Sequence, residues 1–192
     1  MVRLWRLLLW RLKKRYIVKP QYAPIAGTFS TVPSPNYNIP KHLPRKVELV
    51  VLHATESSGP NGLKSTIQWF KNKGSCVSAH YVVDKDGTVV QMVSLNYIAW
   101  HAGVSKWGDN NDVNRLSVGM ECINSNTGQD PYPVSQINSV MALCLSLCRL
   151  YGLNSSCVVG HKDVARGRKT DPAGFPFERF KTELDFYLTA PL

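Results

Sequence analysis

Two histidines and one aspartate stand where strand-like runs give out. His53 closes the run Val47-Glu48-Leu49-Val50-Val51-Leu52, and His161 follows Cys157-Val158-Val159-Gly160. The second run opens the stretch from Gly160 to Gly174, G-H-K-D-V-A-R-G-R-K-T-D-P-A-G, which carries Lys169 and Asp171 around the same predicted loop. Two imidazoles and a carboxylate form a ligand set for zinc. Three protein ligands leave a fourth position for water, the catalytic rather than the structural pattern. A single histidine after a strand is more often a packed or hydrogen-bonded scaffold residue, so the combination carries the weight here.

Holding such a set in place requires a sheet. Residues 47–52 are apolar nearly throughout, as expected of a strand covered on both faces. Leu63, Ile67 and Phe70 fall at helical spacing over residues 63–73, with Gly74 as the stop. Residues 79–84 and 88–93 flank Lys85-Asp86-Gly87, a hairpin signal. Trp100-His101-Ala102-Gly103 opens a loop that contains Trp107 and the polar run 108–114, and residues 116–123 read as another strand with Glu121 near its end. Ser135 is placed to cap a helix running to Tyr151 and ended by Gly152. A last helix over 178–188 sets Phe180, Leu184 and Tyr187 on one stripe. Strands interleaved with helices, plus one hairpin, predict an α/β fold: a central mixed β-sheet flanked by helices.

Five motifs occur in order: V-V-L-H-A-T at 50–55, S-A-H-Y at 78–81, A-W-H-A-G-V-S-K-W at 99–107, S-V-G-M-E at 117–121 and V-G-H-K-D-V-A-R-G-R-K-T-D-P at 159–172. Together they resemble the zinc-dependent N-acetylmuramoyl-L-alanine amidase family, which also holds phage-lysozyme-type amidases and peptidoglycan recognition proteins. The resemblance spans roughly residues 47 to 180. It implies a peptidoglycan-recognition-protein/amidase-like domain with the site in a groove on one side of the sheet. It further implies one Zn2+ per chain on His53, His161 and Asp171, and hydrolysis of the amide between the lactyl group of N-acetylmuramic acid and L-alanine in peptidoglycan or muropeptides. Some members use cysteine as third ligand; Asp171 matches the branch acting on cell-wall fragments.

The same resemblance suggests roles for further residues. Glu121 matches a glutamate that moves protons, although a strand-end glutamate paired with a nearby cation is the plainer reading. Lys169 matches a lysine that stabilises the developing oxyanion. Tyr81 matches a site-lining tyrosine, with a half-buried strand aromatic as the alternative, while His80, one residue away, should face the opposite side as packed scaffold. His101 resembles a groove histidine that contacts substrate, with Trp100 beside it. Arg166 and Arg168 are surface charges or groove contacts, and with Lys106 they can meet the carboxylates of a stem peptide. A binding module of the same fold that has lost hydrolysis is the alternative function, told apart by completeness of the site. A metal-stabilised protein acting on membranes through its N-terminal arm is a third.

Charge is distributed unevenly along the 192 residues. Of the net +10, the basic excess lies in residues 1–47, which hold ten Lys or Arg and no acid; residues 48–192 hold thirteen of each sign. The body therefore lacks the basic face of a nucleic-acid binder, and no nucleic acid is expected as partner. Residues 1–19 form a basic Leu/Trp-rich arm whose uncharged run Leu7–Trp10 is four residues long, short of the about 7–15 of a cleavable signal and the about 20 of a membrane span. Such an arm suits an anionic membrane interface, and the expected location is cytoplasmic or membrane-associated. Six prolines mark residues 20–46 as a linker or a wrap on the surface, with the catalytic domain at 47–188 and a monomer expected. Five cysteines do not form a secreted disulfide framework. Cys144 and Cys148 share a helical face with Ile137, Val140 and Met141, whereas Cys76, Cys122 and Cys157 could pair only if the fold brings two together.

Overall fold

The computed structural model describes residues 20–24 and 27–190; the basic arm, and the membrane contact expected of it, lie outside the described residues. In chain order the elements are β1 (Phe29–Thr31), β2 (Tyr37–Asn38), β3 (Leu49–Ala54), α1 (Gly62–Lys71), β4 (Tyr81–Val83), β5 (Val89–Gln91), β6 (Ile98–Ala99), α2 (Val113–Leu116), β7 (Ser117–Cys122), α3 (Val134–Tyr151), β8 (Val158–Gly160), α4 (His161–Val164) and α5 (Phe177–Thr189). The main sheet runs β1-β5-β4-β7-β3-β8. β4, β7, β3 and β8 are mutually parallel, and β5 is antiparallel to β4. This is the mixed sheet flanked by helices that the sequence predicts.

The apolar central strands are covered twice. On one face Val50, Leu52, Val118, Met120 and Cys122 pack under α3 and α5, which contribute Ile137, Val140, Met141, Cys144, Phe180 and Leu184. On the other, Leu49, Val51 and Val159 meet Ala102, Val113, Leu116 and Val164, while Val82 and Val90 lie under Phe70 of α1. α3 has the length and apolarity of a membrane span, but half of its residues are buried inside the fold, as in a core helix. Cys144 and Cys148 are buried on its inner face as expected, and all five cysteines are free thiols.

Residues 27–46 do not hang free. β1 pairs with β5 at the sheet edge and β2 with β6. The buried Asn36 amide donates to Asn72 O at 2.9 Å and Val77 O at 3.0 Å, fastening the segment beside the end of α1. Gln21 and Tyr22 donate their backbone N–H groups to the Glu183 carboxylate at 3.0 and 2.8 Å, and Tyr187 Oη donates to Tyr22 O at 2.9 Å.

Several local expectations shift. α1 ends at Lys71, with the Asn72 N–H bonded back to Gln68 O and Trp69 O, rather than at Gly74; Gly74 sits in a short 3-10 turn that Asn72 Oδ1 caps at 2.9 Å. Ser135 does not cap α3, because its hydroxyl donates to Lys85 O across the hairpin at 2.5 Å. Gly152 does end that helix at φ 66°, and Gly87 turns the hairpin at φ 93°, values glycine adopts without steric cost. His161 opens the short helix α4 rather than a loop, because the Asp163 carboxylate accepts from the Gly160 N–H at 2.8 Å and starts a helical turn.

Candidate metal centre

Parallel strands deliver their C-terminal ends to one edge, where open α/β sheets place their sites. His53 of β3 is the register partner of Glu121 of β7, so both side chains leave the same face. Gly160 of β8 pairs with Leu52, which sets His161 one residue beyond and beside His53. Asp171 comes from a loop tied to α4 by a Lys162 N–H bond to Asp171 O at 3.0 Å. Asn126, at φ 58°, braces that loop by accepting from Ala173 N at 2.8 Å and donating to Thr170 Oγ1 at 3.2 Å.

The three side chains converge on one oxygen. Asp171 Oδ2 lies 3.1 Å from His161 Nδ1 and 3.3 Å from His53 Nδ1, with all three residues buried. One donor atom from each lies within 4.8 Å of the others. Burial pushes the Asp171 carboxyl up, but the facing imidazoles outweigh it and hold it below the usual range, so the carboxylate stays charged. Burial likewise pushes His53 down to about 4, which keeps it neutral. His161 Nε2 faces the Ala102 carbonyl at 3.1 Å. A carbonyl only accepts, so in that contact Nε2 is the donor. Asp171 Oδ1 is buried without a partner among the described residues. A charged carboxylate with one orphaned oxygen and two imidazole nitrogens in one buried spot fit a zinc ion by donor type and spacing.

The site opens into a groove of about 740 Å³ whose walls include Glu121, Trp69, Trp100, Lys169 and Arg168. Glu121 Oε2 is buried and has no hydrogen-bond partner among the described residues. Burial first, then the charge of Asp171, raises its carboxyl to about 8, against the opposing pull of Lys169. The structure thus brings His53, His161, Asp171, Glu121 and Lys169 to one place, with Trp100 on the wall.

Other candidates lie elsewhere. Tyr81 points away from the groove: it pairs with Met120 and is buried in the core under α3, and burial raises its hydroxyl to about 12. His80, expected on the far side, takes the site face instead, with its ring centroid 6.0 Å from that of His101. His80 and Tyr81 do alternate, but with the two faces exchanged, because both faces of β4 are buried and the pattern does not say which bears the groove. His101 lines the groove, yet both ring nitrogens are engaged within the protein, Nδ1 at 3.0 Å from His53 Nε2 and Nε2 at 3.1 Å from Ser117 Oγ. Arg168 also lines it, while its guanidinium donates to Ala102 O and Val104 O, each at 2.7 Å. Arg166 and Lys106 flank a separate hollow beside Trp107.

Sequence reasoning passed over several supports. Asn114 Oδ1 accepts from His101 N at 3.0 Å and Ala102 N at 2.8 Å, fixing the loop that touches both histidines. Arg45 is buried and donates to the carbonyls of Leu95, Arg115 and Ser117 at 2.8, 3.2 and 2.9 Å. Trp69, 56% exposed, forms the groove's outer wall. Gly119 was the legible signal, since an isolated glycine inside a strand marks a close approach.

Comparison with known proteins bears on the family and the fold. Residues 43–174 match the profile of the Amidase_2 family, N-acetylmuramoyl-L-alanine amidase. The 1,6-anhydro-N-acetylmuramyl-L-alanine amidase AmpD of Enterobacter cloacae is 36% identical over 109 residues, covering 56% of this chain and 57% of that protein. The chain therefore spans little more than half the length of such relatives. Among solved structures, a Se-Met AmpD derivative superposes with a TM-score of 0.69 at 27% identity, covering 83% of this chain and 96% of that one. The Escherichia coli amidase AmiD, in complex with the substrate anhydro-N-acetylmuramic acid-L-Ala-D-gamma-Glu-L-Lys, gives 0.64 at 25% identity over 75% and 60% of the two chains.

Proposed function

This chain belongs to the N-acetylmuramoyl-L-alanine amidase family, and on that premise we propose that it hydrolyses the amide joining the lactyl group of N-acetylmuramic acid to L-alanine in muropeptides, with one Zn2+ held by His53, His161 and Asp171. The observation that carries the reading is the coincidence, in one groove, of this three-ligand set with a carboxylate that is close to it and has no partner of its own among the described residues. Zinc, when bound, would supply Lewis acidity that polarises a carbonyl and makes water nucleophilic near neutral pH. The rest falls to the chain's own residues.

Glu121 takes the proton of the attacking water and hands it to the departing amide nitrogen. A carboxyl raised to about 8 can both hold and release a proton near neutrality, which this two-way task requires. Lys169 brings a fixed positive charge to the oxygen that becomes anionic, favouring the transition state over the neutral amide. Trp69 and Trp100 offer flat apolar surface to the sugar. All these groups come from one protomer, so a monomer suffices. Anhydro-muropeptides are the favoured substrate, since they appear in the names of the AmpD relatives and in the AmiD complex. Residues 47–188 form the catalytic unit and 20–46 its wrap, while residues 1–19 contact an anionic membrane surface.

The direct test is mass spectrometry of products after incubating zinc-loaded protein with muropeptide monomers, anhydro-muropeptides and intact sacculi, beside a chelated control. Free stem peptide beginning at L-alanine, abolished by chelation, is expected. Binding of fragments without release would turn the reading to a recognition module.

A further inference from the structure

The protons around His53 can be placed by following its hydrogen bonds outward. Ser117 Oγ has one proton, and its 2.6 Å contact with the Val113 carbonyl commits that proton, because a carbonyl only accepts. Ser117 Oγ must therefore accept from His101 Nε2, 3.1 Å away. From the other end, a metal-ligating nitrogen needs a bare lone pair, so His53 with Nδ1 toward Asp171 carries its proton on Nε2. That proton points at His101 Nδ1 at 3.0 Å. Both ends demand the same state of His101, protonated on Nε2 and bare on Nδ1.

Resting on the zinc reading, we infer that His101 and Ser117 are positioning residues that lock the tautomer of His53 and so present its Nδ1 to the metal, and that His101 offers no hydrogen bond to substrate. One loop orients both imidazoles. The ring of His101 acts on His53, the adjacent Ala102 carbonyl holds His161 Nε2 at 3.1 Å, and Asn114 fixes the two backbone N–H groups between them. Gly119 belongs to the same device. A Cβ there would lie 2.3 Å from His101 Cγ, so the ring can span from His53 to Ser117 only because β7 is bare beneath it. Partners of metal-bound histidines act in this way generally, and losing one costs about 10–100-fold in metal affinity.

The test uses the full chain and zinc itself. Zinc affinity is measured by competition with a chromogenic chelator for wild type, His101→Leu, His101→Gln and Ser117→Ala, and histidine ring 1H–15N spectra are recorded with and without zinc. His101→Leu should lose about 10–100-fold in affinity. His101→Gln should recover most of it, since its amide can accept from His53 and donate to Ser117. Ser117→Ala should fall between. In the zinc-loaded wild type, His53 should show a proton on Nε2. A proton on Nδ1, or unchanged affinity in a folded His101→Leu protein, overturns the inference; if that variant does not fold, unchanged affinity in Ser117→Ala does so. Failure of the wild type to take up zinc would instead strike down the metal reading beneath it.

Discussion

Gly119→Ala probes this arrangement with a single methyl group. The added Cβ would sit 2.3, 2.4 and 2.7 Å from Cγ, Cδ2 and Nδ1 of His101, far inside contact distance. The strand cannot yield. β7 is bonded to β3 and β4, Gly119 N donates to His80 Nδ1 at 3.0 Å, and Gly119 O accepts from His80 N at 3.0 Å. The ring must move instead, breaking its bonds to His53 and Ser117. Overpacking of this kind costs about 1–3 kcal/mol, and each lost hydrogen bond adds about 1 kcal/mol. For a chain of this length the sum, about 3–5 kcal/mol, corresponds to a fall in Tm of roughly 6–20 °C. Gly108→Ala is the control: its φ of +55° makes any side chain slightly unfavourable, but no atom lies within 4 Å, so it should cost only about 1 kcal/mol. Calorimetric melting of both variants in chelator, with zinc titration of each, gives the answer. A Gly119→Ala protein that melts with the wild type and binds zinc equally would falsify the placement of His101 across β7.

Four further outcomes follow from the site and its supports. Asp171→Ala removes the charged ligand, and zinc uptake measured by competition should weaken at least about 100-fold, beyond the cost of losing an outer partner. Chelation of the wild type should lower Tm, by about 10 °C for zinc at 1,000 times its Kd. Glu121→Gln should keep zinc and lose about 100-fold or more in turnover; in the chelated protein it should also change the pH dependence of stability. Unfolded Glu121 gives up its proton above about 4.5, whereas the folded carboxyl keeps it to about 8. Wild-type stability therefore declines as pH rises between those values, by at most about 1.4 kcal/mol per unit, and denaturant melts should show a shallower decline for the variant. Glu183 has the opposite sign. Burial raises its carboxyl, but Arg179 and the Gln21 and Tyr22 N–H groups outweigh it, so its contribution is present above the ordinary carboxylate range and fades as pH falls through the lower folded value. Glu183→Gln should flatten the acid limb of stability below about pH 4.5.

The grouping of His53, His161 and Asp171 was legible because the two histidines terminate apolar runs, and the ends of parallel strands are fixed by the sheet. His53, His161 and Glu121 needed only the correct strand assignments to meet, and Asp171 followed from its short distance along the chain. Orientation within a strand was not legible where both faces are buried: Tyr81 and His80 exchange roles because apolar residues occupy both sides of β4. β1 and β2 left no pattern, being three and two residues long in a proline-rich segment with an exposed edge. The Ser117-His101-His53 connection was out of reach for a different reason. It joins three segments through side-chain protons, and only the three-dimensional distances say which atom must donate.

The clasp between residues 21–23 and the helical layer fixes which way the groove looks. Gln21 and Tyr22 are bound to Glu183 of α5 and Ala23 to Asn138 of α3, and these helices cover the face of the sheet that His53 and Glu121 turn away from. An attachment made on the N-terminal side of Pro20 thus grips the back of the domain. A support joined directly at Pro20 would meet the side of the sheet opposite the groove. A linkage made on the loop that carries Trp107 would turn the same groove toward the support.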